Sequence, residues 1–280
     1  MHTSIGQQLV RCDQMPTIDP SAATAGLTRL YHYQRFDPDH LSTVLRDKKI
    51  YCSDPSSVND PWDFQPWFDY RPILNNPDNI ERMLALFRST AGAALLDNPI
   101  RPIFEDRIRR SPEELREFVE AFSRRLAETL CKRRIYCLTP FSNSTLMWSH
   151  YALNHTGICL EFNVNNDLFR TARPVTYRST YPEWTLQDTE DQVMQLVLTK
   201  SMDWQYEREF RLIGSPSHSD GVPLKLDGDF LHLPPCALAS VIAGCRAKFD
   251  AIKIAVENCA PGLPIRRAVR APNHYKLQIA

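Results

Sequence analysis

Residues 28–52 read TRLYHYQRFDPDHLSTVLRDKKIYC, and the order of patterns within them decides the fold class. Thr28 to Gln34 is rich in aromatic and branched side chains and predicts a strand. At Asp37-Pro38 the aspartate suits a helix cap and the proline its first turn. Leu41, Val44 and Leu45, at i, i+3 and i+4, give a buried stripe to a helix that runs to about Lys48. Ile50 to Cys52 then returns as a short strand.

The same alternation of types continues outward. Residues 53–66, SDPSSVNDPWDFQP, carry turn chemistry and predict a loop. Two helices follow, one from about Asp78 and one opened by a capping box at Ser111 and Glu114, with Leu115, Phe118, Phe122 and Leu126 as its apolar stripe. From Arg133 the pattern turns to strands at Ile135 to Thr139 and Gly157 to Val164, with a short helical stretch, TLMWSHYAL, between them. A helix over Asp188 to Thr199 precedes a strand over Tyr206 to Ile213. Leu238 to Ala243, Phe249 to Asn258 and Ile265 to Val269 read as strand, helix and strand. Strands scattered among unevenly spaced helices favour an α+β fold with mixed, mostly antiparallel sheets over a regular barrel. Residues 1–26 read as a loosely ordered lead-in and 27–280 as a single domain.

Composition narrows the class further. Hydrophobic residues make up 43% and charged residues 24%, as in ordinary globular proteins. Lys plus Arg (33) equals Asp plus Glu (33), so no overall basic excess marks a dedicated nucleic-acid binder. The N-terminal stretch lacks a secretory layout, and no run approaches the ~20 apolar residues of a membrane span, so a cytoplasmic protein without a membrane role is expected. None of the 8 cysteines forms a C-x-x-C pair, which points to reduced thiols, and no metal is expected.

Four clusters can carry chemistry. Tyr31-His32-Tyr33 ends the first strand, where alternation sets the imidazole apart from the two phenols. Asn59-Asp60-Pro61-Trp62-Asp63 is either a well-made turn or a rigid pocket wall. Met147-Trp148-Ser149-His150-Tyr151 places Trp148 and Tyr151 on one helical face, either as core or as a surface that stacks a planar ring. In WQYEREFR (204–211), an extended backbone sets Glu207, Glu209 and Arg211 on one face, either solvated or lining a cleft where Arg211 keeps both carboxylates ionised.

These motifs, with LYHY at 30–33, SDPSSVNDPWD at 53–63, MWSHYALNHTGICLEF at 147–162 and ASVIAG at 239–244, resemble the domain-of-unknown-function 2971 (DUF2971) family. The resemblance spans about residues 28 to 246 and implies a bacterial protein, with a role in phage defence or a toxin system. A second resemblance concerns layout: a first strand ending in YHY, the helix and short strand after it, and a late E-x-E strand are similar to ADP-ribosyltransferases.

That second resemblance implies NAD as substrate and a macromolecular acceptor, protein or nucleic acid, or hydrolysis of NAD. It assigns His32, Glu207 and Glu209 as catalytic, with Glu209 stabilising the oxocarbenium-like transition state and Glu207 orienting or deprotonating the acceptor. Tyr33, Trp148, Tyr151, Asn59, Asp60 and Arg211 are then the NAD-binding set, with Trp148 or Tyr151 stacking the nicotinamide and His32 holding a ribose hydroxyl or phosphate. Two other readings compete: a non-catalytic binding or sensor module, and a metal-dependent nuclease built on Asp60, Asp63 and the two glutamates.

Overall fold

The computed structural model describes residues 26–64, 76–90, 98–180, 194–216 and 224–280. Within them the strands are β1 Arg29–Gln34, β2 Lys49–Tyr51, β3 Arg134–Leu138, β4 Ile158–Asn163, β5 Arg173–Pro174, β6 Thr176–Arg178, β7 Thr199–Ser201, β8 Phe210–Ser215, β9 Leu224–Lys225, β10 Phe230–His232, β11 Leu238–Ala243, β12 Ile265–Arg270 and β13 Leu277–Ile279. The helices are α1 Pro38–Leu45, α2 Pro77–Thr90, α3 Arg101–Arg110, α4 Pro112–Cys131, α5 Thr145–His150 and α6 Phe249–Cys259. The architecture is α+β with mixed, mostly antiparallel sheets.

The opening stretch folds as its pattern requires. Asp37 caps α1 by accepting from the backbone N–H groups of Asp39 and His40, and Leu41, Val44 and Leu45 are the buried stripe. Ser111 accepts from Glu114 N at 3.3 Å at the start of α4. One helix, α3, separates the two that were expected in that region. The side chains of Phe122 and Leu126, and residues 1–25, lie outside the described residues, as does the first half, 188–193, of the helix expected over Asp188 to Thr199, of which 194–197 are helical. Thr199 itself already belongs to β7.

Two sheets meet at β1. The larger runs β1-β4-β11-β12-β13, antiparallel except for β11 beside β12, where α6 makes the crossover that a parallel pair needs. One face of it buries Leu30, Leu160, Phe162 and Val241 in the main core, and the other packs Tyr33, Cys159, Ile242 and Ala268 against Met147 and Trp148 of α5. The second sheet joins β3 to β8, β8 to β5, and β9 to β8. A single bridge, Tyr31 opposite Thr139, stitches β1 to the end of β3, with bonds of 2.8 and 2.9 Å. Beyond that stitch the two strands part, and the candidate site lies where they separate.

Candidate functional site

The parting of β1 and β3 is spanned by a side chain. His32 Nδ1 lies 2.7 Å from the Cys137 carbonyl, and its ring stacks on Tyr136 with centroids 4.1 Å apart. A carbonyl only accepts, so Nδ1 carries the proton and donates. Burial, opposed by that hydrogen bond, lowers the imidazole pKa to about 4, so the ring is neutral at neutral pH and Nε2 is left as an acceptor.

A cavity of about 340 Å³ opens beside it. His32, Tyr136 and Cys137 form one wall, Asn59 and Asp63 come from the loop after β2, Met147, His150 and Tyr151 from the end of α5, and Lys200, Glu207 and Glu209 lie at its base. The imidazole of the first strand and the acids of the WQYEREFR motif thus share one cavity, together with Tyr151 and Asn59.

The base of the cavity is a buried network of five charged side chains. Arg211 donates Nε to Glu209 at 2.7 Å, Nη2 to Glu209 at 3.0 Å, both Nη atoms to Asp63 at 3.0 and 2.5 Å, and Nη1 to the Val197 carbonyl at 2.7 Å. Its guanidinium also lies 4.6 Å from the Phe64 ring centroid. Lys200 Nζ stands 2.6 Å from Glu207, 3.4 Å from Glu209 and 4.0 Å from Asp63, and 4.8 Å from the Trp204 ring centroid. The second oxygen of Glu207 accepts the Tyr151 hydroxyl, which in turn accepts from Asn59 at 3.1 Å.

The two glutamates differ in consequence. Burial pushes the Glu209 carboxyl up, but the charges of Arg211 and Lys200 outweigh it and hold it well below its ordinary value. For Glu207 burial wins over Lys200, and the carboxyl rises. Burial likewise pushes up the Cys137 thiol, which hydrogen-bonds Glu209 and stays protonated.

Several expectations are corrected by this geometry. Tyr206 to Ile213 is not one strand: Met202–Glu207 is a 3-10 turn, Arg208 takes a left-handed conformation (φ 45°), and only then does β8 begin. Side chains alternate between faces only on extended backbone, and here the turn and Arg208 interrupt it. Glu207 reaches the cavity from the turn and Glu209 from beside the strand, and none of the three charged groups is solvated. Trp148 offers no stacking face, because it is wholly buried, edge-on to Tyr33 at 5.0 Å, with Nε1 donating to the Ser142 carbonyl. Tyr33 is a core ring whose hydroxyl donates to the Phe141 carbonyl at 2.8 Å, although it backs the cavity wall. Arg211 is enclosed by its acids and does not line the cavity, and Asp60 holds the turn by accepting from Trp62 N at 2.9 Å. Glu209 has both oxygens occupied by cations.

Lys200 was overlooked, since an isolated lysine just after an expected helix carries no motif. Asp63 entered only the nuclease reading. That reading loses its donors: Lys200 and Arg211 occupy the places around Asp63, Glu207 and Glu209 that a divalent cation would need, and Asp60 does not line the cavity.

Fold and site define an α+β protein with a charged network buried beneath an aromatic-walled cavity. The model of the family described as "Protein of unknown function (DUF2971)" matches residues 147–212. That match supports the resemblance carried by the motifs, and the matched segment supplies Tyr151, Lys200, Glu207, Glu209 and Arg211 to the site. Neither a curated protein nor a solved structure matches the chain. No helix among the described residues is long and apolar enough to cross a membrane.

Proposed function

We propose that the protein cleaves the glycosidic bond between nicotinamide and ribose in NAD, passing ADP-ribose to a macromolecular acceptor or to water. The observation that carries this reading is the one cavity lined by His32, Tyr151 and Glu207 together. The role expected of Glu209 passes to Glu207, whose neighbours are one ammonium and one phenol and whose raised pKa suits proton transfer.

In this reaction the C1′–N bond breaks and its electron pair leaves with neutral nicotinamide, so positive charge develops on the ribosyl centre. Three carboxylates and two cations lie beneath the cavity. That excess of acid favours a cationic centre in the transition state over neutral alternatives. The acceptor oxygen or nitrogen then bonds to C1′, and its proton passes to Glu207. Tyr151, rather than Trp148, is the ring placed to contact the nicotinamide. His32 Nε2 holds a ribose hydroxyl; a phosphate, which also only accepts, does not suit it.

The test is chromatographic measurement of nicotinamide release, beside thermal melts with and without NAD. We expect NAD to raise Tm, and Glu207→Gln to lower release at least about 100-fold while lowering Tm by no more than about 4 °C. Undiminished release by that variant overturns the assignment. Stabilisation by NAD with no release in the wild type favours the sensor reading instead. In a defence or toxin setting, the same activity predicts a fall in cellular NAD on expression.

A further inference from the structure

The chain is balanced in charge, but its large sheet is not. The strands β1, β4, β11, β12 and β13 carry four arginines, Arg29, Arg266, Arg267 and Arg270, and one acid, Glu161. That acid is buried and fully engaged, accepting from Tyr31 at 3.2 Å and from Ser240 and Arg266, with Arg29 at 3.4 Å. Glu161 is shared by Arg29 and Arg266, so the exposed Arg267 and Arg270 carry positive charge that no acid on these strands offsets.

The excess is concentrated in one hairpin. Residues 264–280 read PIRRAVRAPNHYKLQIA and contain no Asp or Glu. Arg267, Arg270 and Lys276 are exposed, and Tyr275, at the turn between β12 and β13, is fully exposed. Ala268 lies in the core between Arg266 and Arg270, so these two arginines share a face of β12 about 13 Å apart at ~3.3 Å per residue. Arg29 stands on the same face, opposite Asn163, at the far side of the sheet.

Spaced guanidinium groups beside an exposed ring match the two needs of a single nucleic-acid strand: cations that follow the phosphates, and a flat platform for a base. A membrane surface would call for several apolar groups at the tip, whereas Tyr275 is flanked by Asn273, His274 and Lys276. We propose that the β12–β13 hairpin, with Arg29, binds single-stranded nucleic acid. This is independent of the NAD reading; if both hold, the strand is the acceptor or brings it.

The test uses the full chain and a fluorescein-labelled oligouridine of about 12 nucleotides, read by anisotropy across a salt series. The double variant Arg270→Glu/Lys276→Glu should weaken binding at least about tenfold and flatten the dependence of log K on log salt. Tyr275→Ala should weaken it about tenfold and leave that slope unchanged. All three positions are exposed, so melts should match wild type. No binding at low salt, unchanged binding by the double variant, or preference for phosphatidylserine vesicles over the oligonucleotide overturns the proposal.

Discussion

Lys200 Nζ stands 2.6 Å from a Glu207 oxygen, with both side chains almost wholly buried. The ammonium also reaches Glu209 at 3.4 Å, so a single cation links the carboxylate facing the cavity to the one locked by Arg211. Burial opposes the charge on Lys200, and the two glutamates more than offset it, leaving the lysine more firmly protonated than usual.

Removing that ammonium leaves three buried carboxylates with only Arg211. Lys200→Met is expected to destabilise the fold by about 3–5 kcal/mol at neutral pH, as for a buried pair that loses one partner. The loss should shrink at mildly acidic pH, because Glu207 then takes up a proton. Urea unfolding at two pH values measures both; an equal loss at each would show that Glu207 is not the group left uncompensated.

The two glutamates should part in a stability assay. Glu209→Gln withdraws charge from Arg211 at Nε and Nη2 and is expected to lose about 3–5 kcal/mol. Glu207→Gln keeps one acceptor for Lys200, turns an amide donor toward the Tyr151 oxygen and removes a charge that burial already disfavours, so its cost should stay near 1 kcal/mol. Paired melts decide, and a greater loss for Glu207→Gln would reverse the structural assignment of the two.

What the sequence made legible follows from range. Strand, helix and strand over 28–52, the Ser111 cap and the strand, helix and strand near the C-terminus are set by neighbours a few residues apart, and they read correctly; the reciprocal half of the capping box is absent, since Ser111 N donates to the Arg107 carbonyl. His32, Tyr151 and Glu207 were also named, each from its own motif. The failures are long-range or turn on one dihedral. Lys200 and Asp63 matter only because β7 and the loop after β2 bring them to Arg211, 148 positions from Asp63. The left-handed Arg208 breaks an alternation that no propensity would interrupt. Trp148 stayed open between core and ligand platform, because a helix periodicity reports a shared face without saying whether that face meets solvent or sheet; its burial decides for core.

His32 gives stability a distinct pH window. Above its ordinary value of 6.5 the imidazole is neutral in both folded and unfolded chains, and its contribution is complete. Between 6.5 and about 4 the unfolded chain takes a proton that the native one refuses, so stability falls as pH falls, by up to about 1.4 kcal/mol per pH unit. Glu209, held low, loses its contribution in a separate window below the ordinary carboxylate value of 4.5. His32→Asn should be less stable at neutral pH yet flatter across the upper window. An imidazole signal that titrates at its ordinary value in NMR would refute the account.

Tyr151 is held over Glu207 by the turn that follows α5. After α5 the chain runs through three left-handed residues, Leu153, Asn154 and His155, with φ of 46°, 53° and 71°. Such residues cost roughly 1–2 kcal/mol each and persist only if their surroundings fix them. Backbone bonds do so: Gly157 N donates to Ala152 O at 2.8 Å, Gly244 N to Gly157 O at 2.9 Å, and Arg246 N to His155 O at 3.0 Å. The crossing is so close that a Cβ on Gly244 would overlap the His155 carbonyl, standing 2.7 Å from its carbon. Gly244→Ala must therefore push the turn away from β11, and a loss of at least about 3 kcal/mol is expected, together with loss of the Tyr151 to Glu207 bond. Leu153→Gly should act in the opposite direction, since Leu153 is exposed and glycine adopts positive φ without strain; a gain of up to about 1 kcal/mol is expected. Melts of the two variants read the sign directly, and a neutral Gly244→Ala would mean that α5 is anchored by its buried Trp148 alone and not by this backbone crossing.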